Sequence, residues 1–187
     1  MAGVTTSLND FPEHQAIIGR IVIGYSELET DLIGLVSIAL NIDLDDAVRL
    51  IYRARSESQR VNISDAALRP FFERIRLAGP YSQFLGAIKR CKDIRNNYAH
   101  SIWYTVRGQP AFVSLDDTSK GHGDAKPVHF KQVDLDLLTY QETFFAYTEQ
   151  VAFYLKREAR FRKDRRRRHA TSLPRVMRPP KLHNPQT

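Results

Sequence analysis

At 187 residues, 42% of them hydrophobic, the chain is long enough for one domain with a real core plus extensions. A single cysteine excludes an internal disulfide, the first ten residues lack the basic and apolar regions of a signal peptide, and no apolar run reaches the roughly 18 residues that cross a bilayer, so a cytoplasmic protein with no membrane partner is expected. The net charge of +7 is unevenly spread, with −7 over residues 1–48, +7 over 49–95, −3 over 96–155 and +10 over 156–187, an asymmetry that argues for an anionic partner.

In chain order, the first helix is expected to open near Asp10 or Phe11-Pro12, because proline's missing N–H costs little in the first turn. Ile18, Ile21, Tyr25, Leu28, Leu32, Leu35, Val36 and Ala39 recur at helical spacing and predict a long amphipathic helix to about Leu40. Glu27, Glu29 and Asp31 cluster in its middle. Asn41-Ile42-Asp43 is a break, and a second helix is expected from Asp43 or Leu44 through Tyr52. Arg53, Arg55 and Arg60 follow, either lining an RNA groove through phosphate contacts or forming a solvated basic face. A third helix is expected over Asp65–Leu77, before the turn Ala78-Gly79-Pro80.

The fourth helix is predicted to start at Pro80-Tyr81 and to close on Cys91-Lys92-Asp93-Ile94-Arg95-Asn96-Asn97-Tyr98-Ala99-His100-Ser101. At about 100° per residue, Phe84, Ile88, Cys91, Arg95, Ala99 and Ile102 fall within roughly 60° of one line, the expected core stripe. Arg95 thus stands where an apolar residue would be cheaper, and a buried charge must be paired or functional. Glu29 is the candidate structural partner. Asn96 and His100, four apart, share a flank pointing sideways from the core, so arginine, amide and imidazole are placed to converge on one anionic group. Cys91 on the stripe reads as a small buried hydrophobe.

Arg95-Asn96, three residues and then His100, late in a helix of an apparently all-α domain, resembles the signature of the HEPN superfamily, an arginine, four to six residues and a histidine, commonly with a polar residue directly after the arginine. The helical resemblance spans roughly residues 11–160, but only this short motif is specific. Arg178 and His183 repeat the bare spacing in a Pro-rich stretch that cannot form the helix. What the resemblance implies is a metal-independent endoribonuclease that leaves 2′,3′-cyclic phosphate ends. Arg95 and His100 match the essential catalytic pair and Asn96 the polar follower, and the implied site is shared between two protomers of a homodimer. Toxin, defence and RNA-processing settings all fit, with an antitoxin-like protein inhibitor as a further partner. The rival reading is a non-catalytic interaction or RNA-binding module on the same scaffold.

After Trp103 the pattern changes. Ile102–Val106 and Ala111–Leu115 read as a small hairpin, Asp116–Pro127 as a polar loop and Val128-His129-Phe130 as a third short strand. Gly121-His122-Gly123 lacks the spacing of a phosphate-binding loop, and His14, His122 and His129 lack the spacing of zinc ligands, so neither cofactor nor metal is expected. A last helix is predicted from Asp134 or Asp136, with Leu137, Phe144, Tyr147, Val151, Tyr154 and Leu155 on one broad face. Beyond it, a basic arm with Arg165, Arg166, Arg167 and Arg168 leads into a Pro-rich end expected to be disordered; the arm is read as condensing on RNA by counterion release, with a solubilising tail, a ligand for an acidic partner or attraction to anionic lipid as the alternatives. The fold expected is therefore an all-α, up-and-down bundle of four to five helices over residues 1–160, with a β-hairpin insertion at about 102–131 and a disordered basic tail over 161–187.

Overall fold

The computed structural model describes residues 8–114, 130–164 and 172–184. It is mostly helical: α1 (Pro12–Leu40), α2 (Leu44–Ile51), α3 (Glu57–Arg74), α4 (Ala78–Ala99), the strands β1 (Ser101–Val106), β2 (Gln109–Ser114) and β3 (Lys131–Gln132), and α5 (Leu135–Asp164). The all-α bundle with a small β insertion is thus what the chain forms. Two compact units emerge, one from residues 1–25, 91–145 and 179–187, the other from residues 26–90 and 146–178.

Of the periodic residues expected to line α1, Ile18, Ile21, Tyr25, Leu28, Leu32, Leu35 and Val36 are all buried. Asn41 ends the helix in the left-handed region at φ 57°, and the Ile42 N–H donates back to the Ser37 carbonyl, the six-to-one closure of a Schellman cap. Helix α3 starts eight residues before the expected Asp65. Ser56 and Gln59 form a reciprocal capping box, which satisfies two N-terminal donors and lets the helix begin ahead of its apolar stretch. Arg76 then turns the chain at φ 58°, and the Leu77 N–H reaches the Phe72 carbonyl at 2.7 Å.

Helix α5 runs beyond Leu155 to Asp164, and part of the basic run serves as scaffold. Arg162 donates to the Ile75 and Arg76 carbonyls at the end of α3, and Lys163 donates to the Ile38 carbonyl and the Asn41 side chain at the end of α1. Cations at helix C-termini satisfy orphan carbonyls and offset the dipole. Lys156 likewise reaches across to Asp31 of α1.

In the first unit, β1 and β2 pair antiparallel with Trp103 opposite Phe112. Arg107 and Gly108, at φ 53° and 74°, form a two-residue hairpin turn of the kind that needs both residues left-handed. The third strand is Lys131–Gln132, paired with Phe112 and Ala111, whereas of the expected Val128-His129-Phe130 only Phe130 is described, outside any strand. Tyr98, Trp103 and Phe112 pack ring against ring at 5.1–5.7 Å.

The C-terminal segment departs from the expected disorder over Pro180–Asn184. Pro180 is buried, the Lys181 carbonyl accepts from Gln141 Nε2 at 2.7 Å, and the Asn184 N–H donates to the Gln132 carbonyl at 2.9 Å. Asn184 also clasps Asp134, accepting from its N–H and donating to its carboxylate. These main-chain and side-chain hydrogen bonds hold a proline-rich segment that forms no helix.

Candidate functional site

Helix α4 carries the motif in its last turns. Its buried line runs Phe84, Ile88, Cys91, Ile94 and Tyr98, which corrects the expected continuation through Arg95, Ala99 and Ile102. Ala99 is exposed and Ile102, now in β1, is 42% exposed. Steps of three and four residues average close to the helical repeat, so the line passes through Ile94 and leaves Arg95 one residue to its side. Arg95 is half-buried, a far smaller desolvation cost than full burial carries. Its guanidinium lies over the Tyr25 ring of α1, 4.8 Å from the centroid. An aromatic face attracts a cation, so Tyr25 steadies the guanidinium.

Asn96 is half-buried, and its Oδ1 is a buried acceptor with no hydrogen-bond partner among the described residues, a state that costs about 1–3 kcal/mol in a protein interior. His100 sits one residue past the end of α4 and is exposed. Its N–H donates to the Asn96 carbonyl at 3.1 Å, which carries the helical spiral one residue further and fixes Asn96 and His100 as neighbours one turn apart. The motif therefore combines a braced cation, an amide with spare accepting capacity and a solvent-open imidazole.

Three further residues of this stretch, Asn97, Tyr98 and Ser101, for which the motif gave no role, anchor it. The Asn97 amide donates to the Leu182 carbonyl at 3.4 Å, and Ser101 donates back to the Asn97 carbonyl. Burial pushes the Tyr98 phenol well above its ordinary pKa, so it stays protonated and donates to Gln141 Oε1 at 2.5 Å. Gln141, fully buried, passes the connection on to Lys181 through its Nε2. A second asparagine beside the motif was the only sequence signal for this network; nothing marked Lys181 or Leu182.

The other expected site residues separate into three groups. Glu29, the candidate partner of Arg95, is engaged by Arg60 instead: Arg60 Nε and Nη2 both lie 2.9 Å from Glu29 Oε1. The pair is largely enclosed, with side-chain exposures of 14% and 10%, and Arg60 also covers the Tyr52 ring at 4.8 Å. Arg60 is thereby a structural residue of its unit. Arg53 and Arg55 are exposed in the connection after α2, as both an RNA groove and a solvated basic face require. Arg165, Arg166, Arg167 and Arg168, with the loop histidines His122 and His129, lie outside the described residues.

Among the described residues, no three histidine, cysteine or acidic side chains gather as a metal site, and no helix is long and apolar enough to cross a membrane. Comparison with protein families, curated proteins and solved structures gives no match to this chain.

Proposed function

We propose that the chain is a cytoplasmic, HEPN-type endoribonuclease that works without a metal, pairs with a second copy to complete its site and serves in a toxin, defence or RNA-processing setting. The observation that supports this reading is the last turn of α4, where the half-buried Arg95 is braced on Tyr25 and the exposed His100 stands one turn after Asn96.

In this mechanism His100 removes the proton of an RNA 2′-hydroxyl, whose oxygen attacks the adjacent phosphorus. The bond from phosphorus to the 5′-oxygen breaks, and the leaving oxygen takes a proton from the matching histidine of the second copy. The products are a 2′,3′-cyclic phosphate and a 5′-hydroxyl. Imidazole suits both roles because its charge changes closest to neutral pH. Arg95 stabilises charge building on the non-bridging oxygens, and Asn96 orients the pair or binds phosphate. Arg53 and Arg55 add sequence-independent attraction for the backbone.

The test is cleavage of a mixed RNA pool in excess EDTA by wild type and by His100→Ala at matched helical content. Cleavage by wild type alone supports the reading, and equal cleavage by both removes His100 from the chemistry. The exposed Arg53 and Arg55 also favour a second reading, an RNA-binding module without cleavage, which predicts salt-sensitive RNA binding that His100→Ala leaves intact.

A further inference from the structure

One exposed flank of α2, next to its buried line, is apolar. Leu44, Val48 and Tyr52, four residues apart, are 48%, 38% and 53% exposed, and successive members of such a series are displaced by only about 40° around a helix. They form one continuous stripe. Ala47 and Ile51, both buried, hold α2 to its own unit, so the stripe is not the side that anchors the helix. Contiguous apolar exposure of this kind marks a contact surface more often than isolated apolar residues do.

Charge identifies what fits there. Asp43, Asp45 and Asp46 stand at the N-terminal end of α2, and Arg49, Arg53 and Arg55 at and beyond its C-terminal end. Asp43 occupies the N-cap position yet makes no side-chain capping bond. Around the helix, Asp45 and Arg49 fall on the same flank of the stripe, about 60° and 100° from Val48. If two copies of α2 meet antiparallel about a two-fold axis at Val48, Leu44 of each meets Tyr52 of the other. Asp45 of each then faces the Arg49–Arg53 edge of the other, and the helix dipoles oppose. A parallel arrangement would set acid against acid. Tyr52 is already oriented, with the Arg60 guanidinium over its ring and Glu29 fixing that guanidinium, so little side-chain freedom remains to be lost on association.

We propose that the α2 face is a self-complementary surface that binds the α2 face of a second copy in antiparallel fashion. The second copy invoked for the proposed ribonuclease associates through this face, and the pairing stands whether or not Arg95 and His100 cleave RNA. One eight-residue helix and its neighbours cover less than the roughly 800 Å² per partner of a standard stable interface, so the association is weak and concentration-dependent.

The experiment is sedimentation equilibrium of the full chain from the micromolar to the submillimolar range. Wild type is expected to shift from monomer towards dimer with concentration, and Val48→Asp to weaken this at least about tenfold, the least that losing one buried valine on each side implies. Two charge-reversed variants keep the test decisive even if Val48→Asp disturbs folding. Asp45→Lys/Asp46→Lys and Arg49→Glu/Arg53→Glu are each expected to be monomeric alone, and an equimolar mixture to recover the dimer, since an all-basic helix then meets an all-acidic one. A monomer at every concentration, a dimer indifferent to Val48→Asp, or a mixture that stays monomeric overturns the proposal.

Discussion

Replacing Arg60 with methionine should unfold the protein far more readily than removal of a surface arginine, because it strands a carboxylate. The Glu29 side chain is 10% exposed and its oxygen lies 2.9 Å from the guanidinium. Breaking an enclosed ion pair by removing one partner costs about 3–5 kcal/mol, of which most is the uncompensated charge left behind. Lost stacking on Tyr52 adds about 0.5–1 kcal/mol, while the 14% exposure of Arg60 lets water recover part of the loss, so about 3 kcal/mol is expected for Arg60→Met. For a chain of this size that lowers the Tm by about 6–12 °C. Glu29→Gln leaves a cation that keeps its ring and some water, and should cost about 1–2 kcal/mol. The double variant should be more stable than the sum of the single losses implies, with a coupling of at least about 1 kcal/mol. Urea unfolding followed by helical circular dichroism supplies all four corners of the cycle. If Arg60→Met unfolds within about 0.5 kcal/mol of wild type, as ordinary surface changes do, the pair is not structural and Arg60 returns to the set of candidate RNA contacts.

Other consequences are equally specific. Glu149 has its pKa raised by burial and by the nearby Glu27 and Asp31 carboxylates. A carboxyl raised on folding stabilises below its unfolded pKa and loses that contribution as pH rises through the folded value. Glu149→Gln should therefore stabilise by up to about 0.5 kcal/mol at pH 7 and gain nothing at pH 3; a gain that persists in acid would contradict this origin. Arg76→Gly should raise stability by about 0.5–1 kcal/mol by relieving the left-handed backbone at φ 58°, provided the Arg162 contacts, which go to main-chain carbonyls, persist; a loss on thermal melting would show that the Arg76 side chain matters more than its backbone. Deleting residues 179–187 removes the acceptors of Gln141 and Asn97, and the buried Gln141 alone should cost about 1–3 kcal/mol. Hydrogen exchange at the end of α4 should speed up accordingly, whereas unchanged exchange would mean that the segment merely rests on the unit.

Long-range periodicity made the helices readable, since Ile21, Tyr25, Leu28 and Leu32 repeat over enough turns to define a face whatever packs against it. Boundaries set by a few polar groups were harder. The Ser56–Gln59 capping box starts α3 among charged residues, where apolar periodicity has not begun. The helical setting of Arg95 and Asn96 followed from spacing alone, whereas the core line runs through Ile94 and not Arg95. The partner of Glu29 did not: a carboxylate on α1 has arginines available from several segments, and only tertiary packing selects Arg60 over Arg95. Charge runs were legible in sign but not in use. Arg162 and Lys163 read as part of a nucleic-acid arm, yet they close the ends of α3 and α1, because a helix C-terminus has no sequence signature that names the distant cation it will attract. The docking of Pro180–Asn184 was likewise invisible, resting on main-chain carbonyls that every residue carries.

The chemistry assigned to Arg95 and His100 meets its most direct test in the ends of the RNA fragments. A defined RNA is incubated with the full chain in excess EDTA, and the fragments are weighed by mass spectrometry, alongside a substrate with 2′-deoxy sugars at the cut positions. The account predicts 2′,3′-cyclic phosphate and 5′-hydroxyl ends, no cutting at the 2′-deoxy positions, and loss of these products in His100→Ala. Fragments ending in 3′-hydroxyl and 5′-phosphate, or cutting that persists without the 2′-hydroxyl, would contradict it, because attack by the neighbouring sugar oxygen yields neither.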